Sequence, residues 1–126
     1  MLAVALADDG ADGDAARARL ARDPALHAPH LVDLEVLSVL RRQAGAGLLD
    51  ARRAGFALDD LVELPLARYP HAPFARRVWE LRSNLTPYDG AYAALAETLG
   101  CPLVTADARL ARAPGIRCAV EVLVDQ

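Results

Sequence analysis

The sequence contains no lysine: all 14 of its basic residues are arginines, set against 17 acidic residues for a net charge of -3. Domains that grip nucleic-acid phosphates over a simple basic surface usually carry net positive charge, so this balance argues against that kind of binding. A bound divalent metal could supply positive charge locally instead. Because alanine is also abundant, we attribute the exclusive use of arginine to a GC-rich bacterial genome.

Cysteine and long apolar segments are scarce as well. The two cysteines, Cys101 and Cys118, lack C-x-x-C or metal-ligand spacing and lie in or beside apolar segments, which predicts reduced core thiols and a cytoplasmic protein. No apolar run approaches 18 residues, and Met1–Ala7 has neither the length nor the charged start of a signal peptide. The sequence therefore predicts no membrane segment.

The chain has 126 residues, 54% of them hydrophobic, which suits one domain over 1–126 with a substantial core. Strand-like runs alternate with helical patterns, which predicts an α/β fold with a parallel sheet and helices on both faces. The predicted segments are a helix over Asp12–Arg22, a strand over Ala25–Ala28, helices over Leu31–Gln43 and Leu48–Ala57, a strand over Val62–Leu66, a helix over Phe74–Arg82 and a strand over Cys118–Val124.

The stretch Asn84–Asp107 carries the clearest local signals. Thr86 is suited to cap a helix that has Pro87 as its first residue and Gly100 as its stop, and Pro102–Thr105 then reads as a buried strand. Asp89 falls in the first turn of that helix, and Asp107 lies just past the carboxyl end of the strand. Open α/β sheets place their ligand sites at that edge.

A third acid, Glu35, lies in the apolar pattern of Leu31–Gln43, and no cation stands three or four positions away. An ionised carboxylate is costly in such surroundings unless it is paired, solvated in a cleft or bound to metal. The alternative is that this part of the helix simply reaches water. The residues alone leave both interpretations open.

Asp89 and Asp107 also have structural interpretations. Asp89, three positions after Thr86, is a variant of the capping box, and Asp107 could cap a short turn over Ala108–Arg112. Taken together, however, the three acids can converge at one edge of the sheet. Carboxylate oxygens suit Mg²⁺ or Mn²⁺, and such a site can hydrolyse a phosphodiester without a His or Ser nucleophile. Crowding of like charges should raise the pKa of at least one of the three.

Other nucleophile and ligand candidates are weak. The histidines show no ligand spacing, which predicts surface or capping roles for His27, His30 and His71. Ser38 has no nearby base and no G-x-S-x-G setting. The acids remain the candidates for chemistry.

Four segments resemble the PIN-domain ribonucleases of VapC type, the toxins of type II toxin–antitoxin modules. They are A-P-H-L-V-D-L-E-V-L-S-V-L-R-R (28–42), E-L-P-L-A-R-Y-P-H (63–71), W-E-L-R-S-N-L-T-P-Y-D-G-A-Y-A-A-L-A-E (79–97) and P-L-V-T-A-D-A-R-L-A (102–111). The resemblance covers nearly the whole chain, with the L-R-x-N-L-T-x-Y-D and L-x-T-A-D blocks in the family's order.

The resemblance implies a three-layer α/β/α PIN fold and an endoribonuclease that depends on Mg²⁺ or Mn²⁺. It places Glu35, Asp89 and Asp107 on the family's acidic, metal-binding and catalytic positions, and Thr105 on the position that supports the last acid. It also implies a homodimer, an RNA substrate and an antitoxin partner that covers the site.

The chain departs from the family at its start. Family members begin with a strand ending in V-D-x-S, whose Asp is a metal ligand, and the helix after it resembles Leu2–Leu6. Asp8 matches the loop after that helix, so the first catalytic position is carried onto no residue here. We therefore expect the first, central strand of the sheet to be missing and Met1 not to be the native start.

Two functions follow from this reading. The first is a metal-dependent ribonuclease toxin, which retention of Glu35, Asp89 and Asp107 favours. The alternative is a catalytically inactive PIN-fold binding module that holds an antitoxin or RNA, which the absent first Asp favours.

Overall fold

The computed structural model describes residues 2–4 and 25–123. Their strands form one five-stranded sheet in which every pairing is parallel, as the alternation of strands and helices predicted. The sheet order is β3-β2-β1-β4-β5. The strands are β1 (Leu2–Val4), β2 (Leu26–Pro29), β3 (Leu66–Tyr69), β4 (Leu103–Thr105) and β5 (Val120–Val122).

Four α-helices lie in the described part of the chain, with a short 3₁₀ helix before the third and another after β4. The α-helices are α1 (Leu31–Gly45), α2 (Ala51–Glu63), α3 (Ala75–Glu80) and α4 (Pro87–Leu99), and the 3₁₀ helices are Ala72–Phe74 and Ala108–Arg112. Within this part of the chain, no helix has the length and apolar character needed to span a membrane.

The connection that leads into β3 and the connection that leaves it run in opposite directions along the sheet. The connection from β2 to β3 carries α1 and α2, whereas the connection from β3 to β4 carries α3 and α4 and returns across the sheet. Because such crossovers are right-handed, the two connections cover opposite faces. The most deeply buried large side chains come from α1, α4, β4 and β2, and include Val32, Leu95, Leu103 and Pro29.

The predicted helix and strand within Asn84–Asp107 are confirmed. Thr86 has extended backbone angles and its hydroxyl accepts a hydrogen bond from the backbone N–H of Asp89, while Pro87 opens α4. Gly100 ends the helix with φ 64°, in the left-handed region that glycine enters at little cost. β4 then follows at Leu103.

The boundaries predicted for the helix Leu48–Ala57 and for the strand after it were wrong. The Asp50 side chain caps α2 by accepting from the backbone N–H of Arg53 at 2.8 Å, so the helix begins at Ala51 and runs through to Glu63. Pro65 then disfavours helical geometry at the residue before it, and the chain becomes extended there. Strand β3 consequently begins at Leu66, past most of the predicted Val62–Leu66 segment.

The expectation of an empty central place in the sheet is also wrong. Leu2–Val4, which we matched to a family helix, is strand β1 and lies between β2 and β4. Ala3 is in register with His27 on one side and with Leu103 on the other. A short apolar run fits a buried parallel strand as well as a helix, and periodicity alone does not distinguish the two.

The remaining predicted segments agree in kind. The predictions for Ala25–Ala28 and Leu31–Gln43 are confirmed by β2 and α1, and Phe74–Arg82 overlaps α3, which a 3₁₀ turn precedes. The last predicted strand is shorter than expected, as β5 covers Val120–Val122. The helix expected over Asp12–Arg22 lies outside the described residues, as do Asp8 and Val124.

A network of charged hydrogen bonds fastens the segment after β4 to α4. Glu97 accepts from the Arg77 side chain at 2.7 Å and from the backbone N–H of Arg117 at 2.8 Å, and Arg77 also donates to the Gly115 carbonyl. Burial would raise the pKa of Glu97, but the bonds from Arg77 and Arg117 outweigh it and lower that pKa. The network holds down the chain that leads from Asp107 into β5.

The two cysteines are both free, as expected for reduced thiols. Cys101 is buried and Cys118 is half-buried. Burial raises the pKa of the Cys118 thiol, which keeps it in the weakly nucleophilic protonated form.

Candidate active site

The three predicted acids lie at the carboxyl edge of the parallel sheet. Glu35 lies one turn into α1, directly after β2, and Asp107 comes two residues after the end of β4. Asp89 lies in the first turn of α4, and the helix in a βαβ unit begins at the carboxyl edge of the sheet. The topology therefore directs the three acids to one edge.

Asp89 and Asp107 meet in one pocket of about 230 Å³ between the start of α4 and the 3₁₀ helix after β4. Both carboxylates are half-buried. The residues that line the pocket are Asn84, Leu85, Thr86, Asp89, Asp107, Arg109, Leu110 and Ala113. Below, we refer to it as the acidic pocket.

Two local bonds fix Asp107 at the edge of this pocket. Its backbone N–H donates to the hydroxyl of Thr105 at 3.1 Å, and Thr105 is fully buried at the end of β4. Its side chain caps the following 3₁₀ helix by accepting from the backbone N–H of Arg109 at 2.9 Å, as the capping interpretation predicted. These contacts agree with the supporting role expected for Thr105, and that role stays a prediction.

Arg109 provides a positive charge that the sequence reasoning did not identify. Its guanidinium donates to both carboxylate oxygens of Asp107, from Nε at 3.0 Å and from Nη2 at 2.8 Å. The hydrogen bonds from Arg109 lower the pKa of Asp107, and burial opposes them only in part. The rise in pKa expected for at least one of the three acids is therefore not found at Asp107, and for Glu35 and Asp89 it stays a prediction.

We expect Arg109→Gln to raise the pKa of Asp107 relative to the wild type, because it removes the charge and the paired bonds that favour the carboxylate. The measurement is a pH titration of the Asp107 carboxyl carbon by NMR. Arg112→Gln is the control: it removes an equal charge that acts on Asp107 only from a distance, and should raise this pKa less. An unchanged pKa in Arg109→Gln would contradict the ion pair.

The pH dependence of the pair follows from the direction of that shift. Because the pKa of Asp107 is lower in the folded protein, the pair stabilises folding above the pKa of an unfolded aspartate, about 3.9. The stabilisation is lost as the pH falls through the folded-state pKa. Since the Arg109 side chain is 84% exposed, solvent screening keeps the contribution small.

Glu35 is held by a side chain from the other helical layer. The hydroxyl of Tyr92, on α4, donates to Glu35 Oε1 at 2.5 Å, and Tyr92 is only 3% exposed. A buried tyrosine hydroxyl needs a partner, and the half-buried Glu35 carboxylate provides one here. Tyr92 lies one turn after Asp89, so α4 connects Glu35 to the acidic pocket.

The structure thus places two of the three acids in one pocket and joins the third to it through Tyr92. Glu35 does not line the acidic pocket itself. Within the described ranges, 2–4 and 25–123, no group of three His, Cys, Asp or Glu side chains is close enough to hold a metal ion by itself. A metal at this site would therefore rely on a few carboxylates, with water or substrate oxygens completing its shell.

His71 confirms the capping role predicted for the histidines. Its Nε2 accepts from the backbone N–H of Leu31 at 3.1 Å and so satisfies one of the free donors at the start of α1. His27 bonds to the Tyr69 hydroxyl through Nδ1 at 2.5 Å. These histidines join β3 and its following loop to β2 and α1, and they position the helix that carries Glu35.

An all-parallel sheet with carboxylates gathered after its strands is the arrangement of an α/β enzyme with an acidic site at the carboxyl edge. Residues 2–116 match the PIN domain family. The chain therefore belongs to the PIN-domain family.

Three curated relatives come from Mycobacterium tuberculosis. Ribonuclease VapC9 is 46% identical over 98 residues, which cover 78% of this chain and 77% of the relative. Ribonuclease VapC1 is 42% identical over 120 residues, covering 94% of this chain and 90% of the relative. Ribonuclease VapC12 is 39% identical over 109 residues, covering 86% of this chain and 84% of the relative. Within the PIN-domain family, the chain therefore belongs among the VapC-type ribonucleases.

Solved structures agree on the fold. FitAcB from Neisseria gonorrhoeae matches with a TM-score of 0.63 at 16% identity, over 95% of this chain and 96% of the other. VapC20 of Mycobacterium tuberculosis, described as a toxin that cleaves the sarcin-ricin loop, matches with a TM-score of 0.57 at 18% identity, over 82% and 87%. At these identities the likeness concerns the fold alone.

Proposed function

We propose that this protein is a divalent-metal-dependent endoribonuclease that hydrolyses RNA phosphodiester bonds at the acidic pocket. The observation that carries the proposal is the meeting of Asp89 and Asp107 in one pocket at the carboxyl edge of the sheet. Relatives named as ribonucleases support an enzyme over the inactive binding module. As in the type II modules that the sequence resembles, the enzyme acts as a toxin and an antitoxin covers its site.

The donor set fits Mg²⁺ or Mn²⁺. Carboxylates of Asp89 and Asp107 are hard oxygen ligands, and these ions commonly bind through one or two carboxylates, several waters and substrate phosphates. Glu35, fixed by Tyr92, is a further carboxylate directed to this edge. When bound, the metal supplies positive charge that stabilises the phosphate and makes a water more acidic.

The protein's own groups have separate tasks in this proposal. Thr105 holds the backbone of Asp107, and the Thr86 cap fixes the first turn that presents Asp89. Arg109, largely exposed at the pocket, neutralises Asp107 in the free protein and can turn its guanidinium to an RNA phosphate. An exposed arginine suits this exchange because a surface ion pair is weak in water.

The partners are part of the proposal as well. We expect a homodimer and a cognate antitoxin, as the family resemblance implies. The test for the antitoxin is to sequence the DNA beside the gene and to co-express any small reading frame found there, followed by co-purification and inhibition assays. An antitoxin should suppress RNA cleavage at a stoichiometric ratio.

The test of the activity is cleavage of single-stranded and loop RNA by the purified full chain. We expect cutting with Mg²⁺ or Mn²⁺, loss of cutting with EDTA and recovery when excess Mn²⁺ is restored. Common contaminating ribonucleases that act without metal survive EDTA, so the chelation step separates them from this enzyme. Equal cutting with and without EDTA would contradict the metal dependence. No cutting with either ion would contradict the ribonuclease activity.

A further inference from the structure

A second pocket lies beside the acidic one, on the neighbouring side of the first turns of α4. It has a volume of about 410 Å³, within the range of small-molecule sites. Pro87, Tyr88 and Ala91 of α4 contribute to it, whereas Thr86 and Asp89 face the acidic pocket. From α3 and the turn after it come Trp79 and Arg82, and we name this depression the Trp79 pocket.

The aromatic side chains of this pocket are exposed to an unusual degree. Trp79, the only tryptophan of the chain, is 67% exposed, and Tyr88 is 64% exposed. Large aromatic rings contribute much of the energy of protein cores and interfaces when they are buried, and neither ring belongs to a core cluster here. Most of the surface of each ring is therefore available to a ligand.

Arg82 converts the tryptophan into a composite stacking surface. Its guanidinium carbon lies 4.5 Å from the centre of the Trp79 ring, and its Nη1 donates to the Trp79 carbonyl at 2.9 Å. That bond uses one of five guanidinium N–H groups, which leaves donors for a phosphate or a base edge. Proteins bind unpaired bases on such aromatic and guanidinium planes.

The charges of the pocket also favour an anionic ligand. The Arg82 guanidinium lines it, and none of its lining residues is an aspartate or glutamate. The whole chain carries a net charge of -3, so the absence of carboxylates from the lining of this pocket contrasts with the overall composition. A nucleotide combines the apolar ring and the negative charge that these residues complement.

The first turns of α4 contribute residues to both the Trp79 pocket and the acidic pocket, although the two pockets share no lining residue. Tyr88 immediately precedes Asp89, and Ala91 immediately precedes Tyr92, which holds Glu35. On α1, Leu31 lines the pocket one helical turn before Glu35. One strand of RNA can therefore occupy both pockets, with a phosphate at the acids and an adjacent base on the rings.

We propose that the Trp79 pocket binds an unpaired base of the RNA substrate, next to the phosphate that is cut; this proposal rests on the function proposed above. The base stacks on Trp79 and Tyr88 while Arg82 contacts its phosphate or edge. Because the lining is mostly apolar, the pocket discriminates by stacking strength and prefers purines to pyrimidines.

The first experiment measures binding without cleavage. The full chain is titrated in EDTA with short single-stranded RNA, oligo(A) or oligo(U), while Trp79 fluorescence is recorded. We expect saturable quenching and tighter binding of oligo(A). Anisotropy of labelled oligo(A) then compares the variants: Trp79→Ala should bind about 5- to 100-fold more weakly, and Trp79→Phe should retain most of the affinity.

Leu48→Ala is the matched control, since Leu48 is 76% exposed and does not line the pocket. It should bind RNA like the wild type. Steady-state cleavage supplies a second readout: Trp79→Ala should raise KM with little change in kcat, because Trp79 does not line the acidic pocket. Unchanged binding and KM in Trp79→Ala would overturn the proposal, as would conversion of a dimer to a monomer without any effect on RNA binding.

The outcomes separate this proposal from the proposed function. If the wild type cuts RNA and Trp79→Ala has an unchanged KM, the base pocket is wrong and the ribonuclease stands. If no RNA is cut under any metal but Trp79-dependent RNA binding is measured, the base pocket stands and the ribonuclease is wrong.

Discussion

Replacement of Asp89 by asparagine is expected to lower RNA cleavage by roughly 100-fold or more, on the scale seen when an electrostatic catalytic group is lost. Asparagine keeps the volume of the side chain and removes the charge that a divalent metal requires. The cap of α4 should survive, because Thr86 accepts from the backbone N–H of Asp89 and that group is unchanged. The measurement is single-turnover cleavage, with thermal unfolding of the same preparation.

Asp60→Asn is the matched control for this experiment. It removes the same unit of negative charge from an exposed position on α2, away from the acidic pocket. It should cut RNA at the wild-type rate, and the melting temperatures of both variants should stay within about 3 °C of the wild type. If Asp89→Asn cleaves RNA at the wild-type rate, Asp89 has only a structural role at the start of α4.

The second large effect concerns the helix that carries the site. Leu95, in the middle of α4, is fully buried and clusters with Phe74 and Ala94. Leu95→Ala removes buried methyl groups and leaves a cavity that the surrounding side chains fill only in part. The free energy of unfolding should fall by about 2–5 kcal/mol, measured by urea unfolding with an unchanged m-value.

Leu48→Ala makes the same chemical change at a side chain that is 76% exposed. Its unfolding free energy should differ from the wild type by no more than about 0.5 kcal/mol. A loss in Leu95→Ala as small as in this control would mean that α4 does not pack as described. A lower m-value would instead mark a change in the unfolded state or loss of two-state behaviour.

The agreement between sequence and structure is best where the signals are local. The start of α4 depends on a hydroxyl that reaches three residues along the chain and on a proline with a fixed φ. Its end depends on one glycine at positive φ. Each signal acts within a few residues, so Thr86, Pro87 and Gly100 could be placed without knowledge of the fold.

Short apolar runs were less informative because several structures satisfy them. Leu2–Val4 and Val62–Leu66 each suit a strand or a buried helix, and their neighbours in space decide between the two. Residues 2–4 form a strand because β2 and β4 offer ladder partners on both sides. Val62 and Glu63 belong to α2, which ends only where Pro65 disfavours helical geometry at Leu64.

The sequence by itself determined the fold class, the family resemblance and the positions of Glu35, Asp89 and Asp107 after strands or at the start of helices. These properties follow from alternation, caps and topology, which are written along the chain. Only the tertiary structure decided what surrounds the acids. The Tyr92 hydroxyl donates to Glu35, the Arg109 guanidinium donates to Asp107, and an aromatic pocket lies beside Asp89. Glu35 and Tyr92 are 57 positions apart. Such contacts depend on how two helices pack at one edge of the sheet, and no local pattern of residues predicts which distant side chains will meet there.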